Sequence, residues 1–267
     1  MSSRPTQEER GARFAELHEG PCFLIPNPWD GGSAKVLEAL GFEALATSSS
    51  AFAFTLGRAD GEVTLDEVAE HVSAIARASD LPLSVDLENG FGASPEHAAR
   101  AIEVVAAVGA VGGSIEDWDP EHGIYEIGAA AERVAAAAEV ARGLEFPFML
   151  TARAENHIRG NPDLADTIAR LRAYEEAGAD VLYAPGLASV EEIAAVTAAV
   201  GKPVNVLARP HLTVGGIAGA GAKRVSVGGS LAWATIEAMA GIATRMRDEG
   251  ELGELRDGVQ VGEWLVE

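Results

Sequence analysis

The chain has 267 residues, with 20 basic and 41 acidic side chains and a formal charge of −21. That length suits one α/β barrel and is long for one sandwich, and the 48% hydrophobic content is enough to bury a large core. A surface this acidic repels phosphate backbones and anionic lipid faces, so neither nucleic acid nor a membrane is an expected partner.

Residues Met1–Leu17 are charged and hold no apolar run, so no secretory signal is expected. A strand over Cys22–Ile25 leads to a helix over Gly32–Leu40. Strand Ala44–Thr47 is followed by helix Thr64–Ala78, strand Leu83–Asp86 by helix Pro95–Val108, and strand Gly112–Glu116 by helix Ile127–Arg142. Strand Phe148–Arg153 precedes helix Pro162–Ala177, Val181–Ala184 precedes Val190–Val200, and Val204–Leu207 precedes a short helix near Leu212–Ala220. Strand Arg224–Val227 comes last, before helix Leu231–Arg247. Continuous apolar strands bounded by turn residues belong in a parallel sheet buried on both faces, and eight strand–helix units predict a (β/α)8 TIM-type barrel over residues 1–250. Gly41, Gly109, Gly178 and Gly221 each stand between a helix and the next strand, where a left-handed residue ends a helix. Residues 251–267 read as a tail that contacts a partner subunit or frays.

Cys22 is the only cysteine, which excludes an internal disulfide and a cysteine-rich zinc or iron–sulfur site, and a reducing, cytoplasmic compartment is expected. The longest charge-free stretch, Ala44–Gly57, is shorter than the ~20 residues that span a bilayer.

Barrel active sites form at the C-terminal ends of the strands. The three lysines, Lys35, Lys202 and Lys223, all fall elsewhere, so Schiff-base chemistry is not expected. Asp86, Glu88 and Glu116 place three carboxylates on adjacent strand ends, where like charges repel. A divalent cation removes that penalty, and an oxygen-only ligand set favours Mg2+ or Mn2+; the alternative is an ion pair between Glu88 or Glu116 and a loop arginine. Arg153 ends an apolar strand and calls for an anion, either a substrate carboxylate or Glu155 or Glu116, and the two readings are compatible. Ser48, Ser49 and Ser50 form either an oxyanion turn or a loop capping its own backbone. Gly228-Gly229-Ser230 reads as a tight turn, with a phosphate cradle as the alternative. His18, His71 and His97 read as surface residues on helices. His122 and His157 lie in loops above the mouth, as solvated side chains or proton donors, and Trp29 either walls the site or packs on a neighbouring loop.

Taken together these segments resemble the isocitrate lyase/phosphoenolpyruvate mutase superfamily over roughly Phe23–Met239. The motifs are Ile25-Pro26-Asn27-Pro28-Trp29-Asp30 with Ser33-Ala34, Thr47-Ser48-Ser49 with Leu56-Gly57-Arg58-Ala59-Asp60, and Val85-Asp86-Leu87-Glu88-Asn89-Gly90-Phe91-Gly92. Ser114-Ile115-Glu116-Asp117 and Thr151-Ala152-Arg153 complete them. The resemblance implies a Mg2+-dependent enzyme that makes or breaks a C–C or P–C bond beside a 2-oxo acid through a pyruvate-like enolate. It implies that Asp86 coordinates the ion while Glu88 and Glu116 hold its waters. Ser48 and the Ser49 amide would hold a carboxylate or enolate oxygen, Arg153 a carboxylate or phosphonate, Asn205 the far wall, and Asp60 the leaving portion. It further implies a homo-oligomer, a tetramer or a dimer, with a swapped C-terminal helix.

Three departures stand out. Glu88 replaces the usual second Asp of the metal motif, and Ser49 replaces a Gly. The loop Asp117-Trp118-Asp119-Pro120-Glu121-His122-Gly123-Ile124-Tyr125 lacks the Cys of the lyase branch and the Lys and Asn-Ser of the phosphonate branch, leaving His122 or Tyr125 as replacement acids. The first functional expectation is a Mg2+-dependent C–C lyase on a small 2-oxo or 2-hydroxy (di)carboxylate. The second is a phosphonopyruvate mutase or hydrolase, and the third a non-catalytic 2-oxo acid binder.

Overall fold

Short runs of β-branched and aliphatic residues, flanked by glycine turns and amphipathic helices, pair side by side in parallel. The computed structural model describes residues 4–256 and 261–265. The barrel strands are β1 (Phe23–Ile25), β2 (Leu45–Ala46), β3 (Leu83–Asp86), β4 (Gly112–Glu116), β7 (Met149–Arg153), β8 (Val181–Tyr183), β9 (Val204–Leu207) and β10 (Arg224–Ser226). A small antiparallel hairpin, β5 (Trp118–Asp119) and β6 (Gly123–Ile124), rises from the end of β4. The sheet order β1-β10-β9-β8-β7-β4-β3-β2 gives the expected (β/α)8 architecture, a nearly closed barrel.

Closure between β1 and β2 rests on few bonds. The Ala46 amide donates to the Pro26 carbonyl at 3.1 Å. The buried side chain of Asn27 does the rest: its Nδ2 donates to the Thr47 carbonyl, and its Oδ1 accepts from the Val227 and Gly228 amides, each at 2.9 Å. One amide group thus ties the ends of β1, β2 and β10.

The major helices follow their strands as expected: α2 (Gly31–Ala39), α4 (Leu65–Ala78), α5 (Pro95–Ala107), α6 (Ile127–Gly143), α7 (Leu164–Ala177), α8 (Val190–Ala199), α9 (Val214–Gly219) and α10 (Ser230–Glu249). On α4, Val68, Val72 and Ile75 recur at helical spacing and are buried, while a Thr64–Glu67 capping box fixes the start. Gly41, Gly109, Gly178 and Gly221 all have positive φ, as their positions require.

Helices α1 (Gln7–Glu19) and α3 (Ser49–Thr55) were not expected. Helix α1 plugs the N-terminal end of the barrel, burying Phe14 against Phe23, Ile25, Ala44 and Val111. It lies so close to the chain before β7 that a Cβ on Gly11 would stand 2.3 Å from the Pro147 carbonyl oxygen. Helix α3 begins inside the serine run, with Ser48 as its N-cap. His18, expected on the surface, is buried under the barrel, because Gly11, Phe14 and His18 share the inward face of α1. His71 is half-buried, stacked on Phe52, and His97 is exposed as expected.

Of α10 only Ala232 is buried. Among the tail residues, Val261–Trp264 form a short helix, α11, beside α2, while residues 257–260 and 266–267 lie outside the described residues. Among the described residues no helix is long and apolar enough to cross a membrane.

Candidate active site

The strand register builds the site. Glu116 stands beside Arg153, Arg153 beside Tyr183, Tyr183 beside Asn205, and Asn205 beside Arg224. This row runs around the barrel, and the stagger of the strands carries it from the mouth at β4 down to the floor at β10.

Asp86 ends β3, and the chain then turns sharply. Glu88 and Phe91, neither of them glycine, take φ of 49° and 62°, and Gly90 takes 79°. Such conformations persist only when their surroundings enforce them. Here the Asn89 side chain accepts from the Phe91 amide at 3.1 Å. Arg133, reaching from α6, donates to the carbonyls of Asn89, Gly92 and Ser94. The Glu116 amide donates to the Glu88 carbonyl at 2.9 Å, joining this turn to β4.

The carboxylates meet two arginines. Glu116 Oε2 is 3.2 Å and Asp86 Oδ1 3.7 Å from Arg153 Nη1. The fully buried Glu155 receives Arg153 Nε at 2.5 Å and Arg159 Nε at 3.0 Å. Arg153 is therefore ion-paired with Glu116 and Glu155, one of its two expected readings, and it also lines two cavities. The Ser49 amide donates to Asp86 Oδ2 at 3.3 Å.

Burial, followed by the charges of Asp86 and Asp60, pushes the Glu88 carboxyl up to about 8. Burial also raises Glu116 and Asp60, against the pull of Arg153 on the former and a Ser49 hydrogen bond on the latter. Burial opposes the charge of Arg153, but Glu116, Glu155 and Asp86 outweigh it and raise its pKa. Among the described residues Glu88 Oε1, itself buried, has no hydrogen-bond partner. A crowded set of oxygen donors, one of them orphaned, fits a hard divalent cation. Among the described residues no three His, Cys, Asp or Glu side chains converge closely enough to hold an ion unaided. An ion held here would have to keep several of its own waters.

Two cavities meet at Ser49, Asp60 and Arg153. The outer, about 840 Å3, is lined also by Glu88, Glu116, His122 and Arg159. The inner, about 200 Å3, holds Ser48, Ser50, Asp86, Tyr183, Asn205 and Arg224. Most of the expected site residues are thus brought together. Trp29 is not among those lining either cavity; it is half-buried with its amide on Ser33 Oγ. His157 bonds Thr167 Oγ1 at 2.8 Å, away from both.

The hairpin is organised by Asp119. It accepts from the Glu121 and His122 amides, from the Tyr125 hydroxyl at 2.9 Å and from His122 Nδ1 at 3.0 Å. Slight burial works against its charge, but these hydrogen bonds bring its carboxyl down to about 2. An anionic Asp119 fixes the hydrogen of His122 on Nδ1 and leaves Nε2 free over the outer cavity.

Sequence reasoning did not single out Arg159, Tyr183 or Arg224. Arg224 opens an otherwise apolar strand, a signal of the kind that identified Arg153. Arg159, three residues into a loop turn, had none.

A profile of the phosphoenolpyruvate phosphomutase family matches residues 14–247. A solved candidate lyase/mutase from Burkholderia cenocepacia J2315 is 48% identical, superposes with a TM-score of 0.93, and shares 97% of this chain and 96% of its own. A 2-methylisocitrate lyase from Halalkalibacterium halodurans is 32% identical over 82% of this chain and 76% of its own length. An oxaloacetate decarboxylase from Paraburkholderia xenovorans is 32% identical over 78% of this chain and 71% of its own.

Proposed function

The chain belongs to the phosphoenolpyruvate phosphomutase family, and from that premise we propose that it is a Mg2+-dependent lyase cleaving a C–C bond in a small 2-oxo or 2-hydroxy acid. The observation that carries this reading is the carboxylate group Asp86, Glu88 and Glu116 beside Arg153, with an orphaned Glu88 oxygen. Asp86 would hold the ion, with Glu88 and Glu116 on its waters. Once bound, Mg2+ supplies an electron sink beside the 2-oxo group.

This chain's own groups do the rest. Arg153 pairs with the substrate carboxylate, while Ser48, Ser50 and the Ser49 amide hold its oxygens. Asn205 closes the inner wall, and Asp60 orients the departing portion. In a decarboxylation the bond to the leaving carboxylate breaks, its electron pair enters the pyruvate enolate, and CO2 departs. His122 Nε2 then passes a proton taken up from solvent to the enolate carbon, giving pyruvate. This route needs no loop cysteine.

The test is pyruvate release from oxaloacetate and from branched malates, with and without EDTA. Metal-dependent release is expected. Absence of metal-dependent turnover on every such acid discards the lyase reading.

The family match itself favours a second reading, P–C bond chemistry on phosphonopyruvate, for which Arg153 serves equally. Phosphorus NMR of phosphonopyruvate incubated with enzyme separates the two. If neither acid turns over but Mg2+ and oxalate still raise thermal stability, the chain is a 2-oxo acid binder.

We also propose a homo-oligomer formed through α10. Leu231, Trp233, Met239 and Met246 are exposed along this helix, of which Ala232 alone is buried. Light scattering after gel filtration is expected to give a dimer or tetramer mass.

A further inference from the structure

Glu155 bridges the two arginines Arg153 and Arg159, one on each oxygen, and is itself 0% exposed. One carboxylate does not neutralise two guanidiniums, and Glu116 is shared between them as well, 3.2 Å from Arg153 and 3.8 Å from Arg159. Among the described residues each arginine is hydrogen-bonded only through Nε. Arg153 Nη1 is also held by Glu116 and Asp86, whereas Arg159 has only the more distant Glu116 oxygen near Nη2 and no ion pair on Nη1. Its plane lies over the Trp118 ring, 4.4 Å from the centroid, and it closes the turn Asn156–Arg159 before the left-handed Gly160. The side chain is 34% exposed on the outer cavity that Glu88, Glu116 and Arg153 also line. Arg100, the third arginine of that wall, is exposed and carries no ion pair among the described residues.

A guanidinium fixed by a buried carboxylate on one edge and an indole on one face, with its fork open to a cavity, is preorganised for a planar anion. We propose that Arg159 is a second anion subsite and makes this enzyme selective for 2-oxo acids that carry a distal carboxylate. The proposal rests on the reading that the mouth binds a 2-oxo acid. The first carboxyl group and the 2-oxo oxygen sit at Arg153 and the acidic cluster. The distal carboxylate reaches the outer cavity and takes both terminal nitrogens of Arg159.

The test is calorimetry on the full chain with Mg2+ and two ligands. Oxalate carries no distal carboxylate, whereas difluorooxaloacetate does. Arg159→Gln is expected to weaken difluorooxaloacetate about 10- to 100-fold, the loss of a charge-assisted bidentate contact, and to leave oxalate within about threefold. Arg159→Lys, which keeps the charge without the fork, is expected to fall between. Equal losses for both ligands, or no loss for either, overturn the subsite while leaving the lyase reading standing. If the wild-type protein binds neither ligand with Mg2+, the reading of the mouth fails and the subsite falls with it. Selective loss of phosphonopyruvate in place of difluorooxaloacetate overturns the carboxylate assignment.

Discussion

Arg224 Nη1 lies 3.3 Å from His18 Nε2 beneath the barrel floor. The other imidazole nitrogen, Nδ1, is 2.7 Å from the Phe14 carbonyl and so carries the hydrogen, which leaves Nε2 to accept from the guanidinium. Arg224 completes its bonding with Asn205 Oδ1 at 2.9 Å and Thr151 Oγ1 at 3.0 Å. None of its partners is a carboxylate. A buried cation therefore sits under the inner cavity, held entirely by neutral groups.

This pairing predicts an acid sensitivity. Burial, then the nearby charge of Arg224, brings His18 down to about 3. Its folded pKa is thus below the unfolded value of about 6.5, so the unfolded chain takes up a proton that the native chain refuses. Stability from this group is intact above pH 6.5 and is lost as pH falls toward 3, by about 1.4 kcal/mol per pH unit. Urea midpoints at pH 7 and pH 5 should fall less steeply for His18→Gln than for the wild type. Parallel slopes would contradict the assignment.

Glu88→Gln removes a titrating group from a crowded site without changing its volume. Without metal, the variant should melt near the wild-type temperature at pH 7, where burial keeps Glu88 mostly protonated, and above it at pH 9, where the wild-type carboxylate repels Asp86 and Asp60. With Mg2+ the wild type should melt higher. At a hundredfold excess over Kd, binding adds about 2.7 kcal/mol of stability to the wild type, and the variant should gain clearly less. Differential scanning fluorimetry with and without Mg2+ reads both effects.

Asp117 is buried and accepts from the Tyr174 hydroxyl at 2.5 Å, from Arg170 Nη1 at 3.0 Å and from the Glu155 amide at 2.7 Å. Asp117→Ala leaves Arg170 with Asp166 as its one carboxylate partner and the buried Tyr174 hydroxyl and Glu155 amide without theirs, and a loss of about 1–3 kcal/mol is expected in denaturant unfolding. Glu155 then loses its backbone anchor, so any activity that survives folding should drop as well. A loss under about 1 kcal/mol would show that Asp166 alone suffices for Arg170.

Gly11→Ala should destabilise despite lying mid-helix, where alanine normally gains about 1 kcal/mol over glycine. The obstacle is the backbone oxygen of Pro147, which cannot rotate away. A net loss of about 1–3 kcal/mol is expected from the forced shift of α1. A stabilised variant would mean that α1 does not dock as described.

The barrel was legible because its signals are local. β3, β4 and β9 begin and end where the apolar runs do, and Asp86, Glu116 and Arg153 stand out as charges closing them. Helix α1 was hidden by its charges, although Thr6 and Glu9 form a capping box and Gly11, Phe14 and His18 follow helical spacing. Arg159 and Asp119 were beyond reach for a different reason. Their roles depend on which loop meets which: Trp118 under Arg159, and Asn89 and Tyr125 on Asp119. No spacing along the chain encodes those meetings. His122 was readable as a residue, but not the carboxylate that fixes its tautomer.

The bond from Val227 to Asn27 spans 200 positions of sequence. During synthesis the first strand must wait for the last, since the amides that satisfy Asn27 emerge only after β10 has been made. Until then the Asn27 side chain, destined for burial, has no partners from β10, and water must serve in their place. Completion of the cylinder is thus a late, all-or-none event, and a truncation that ends before Val227 should leave a ring that never locks.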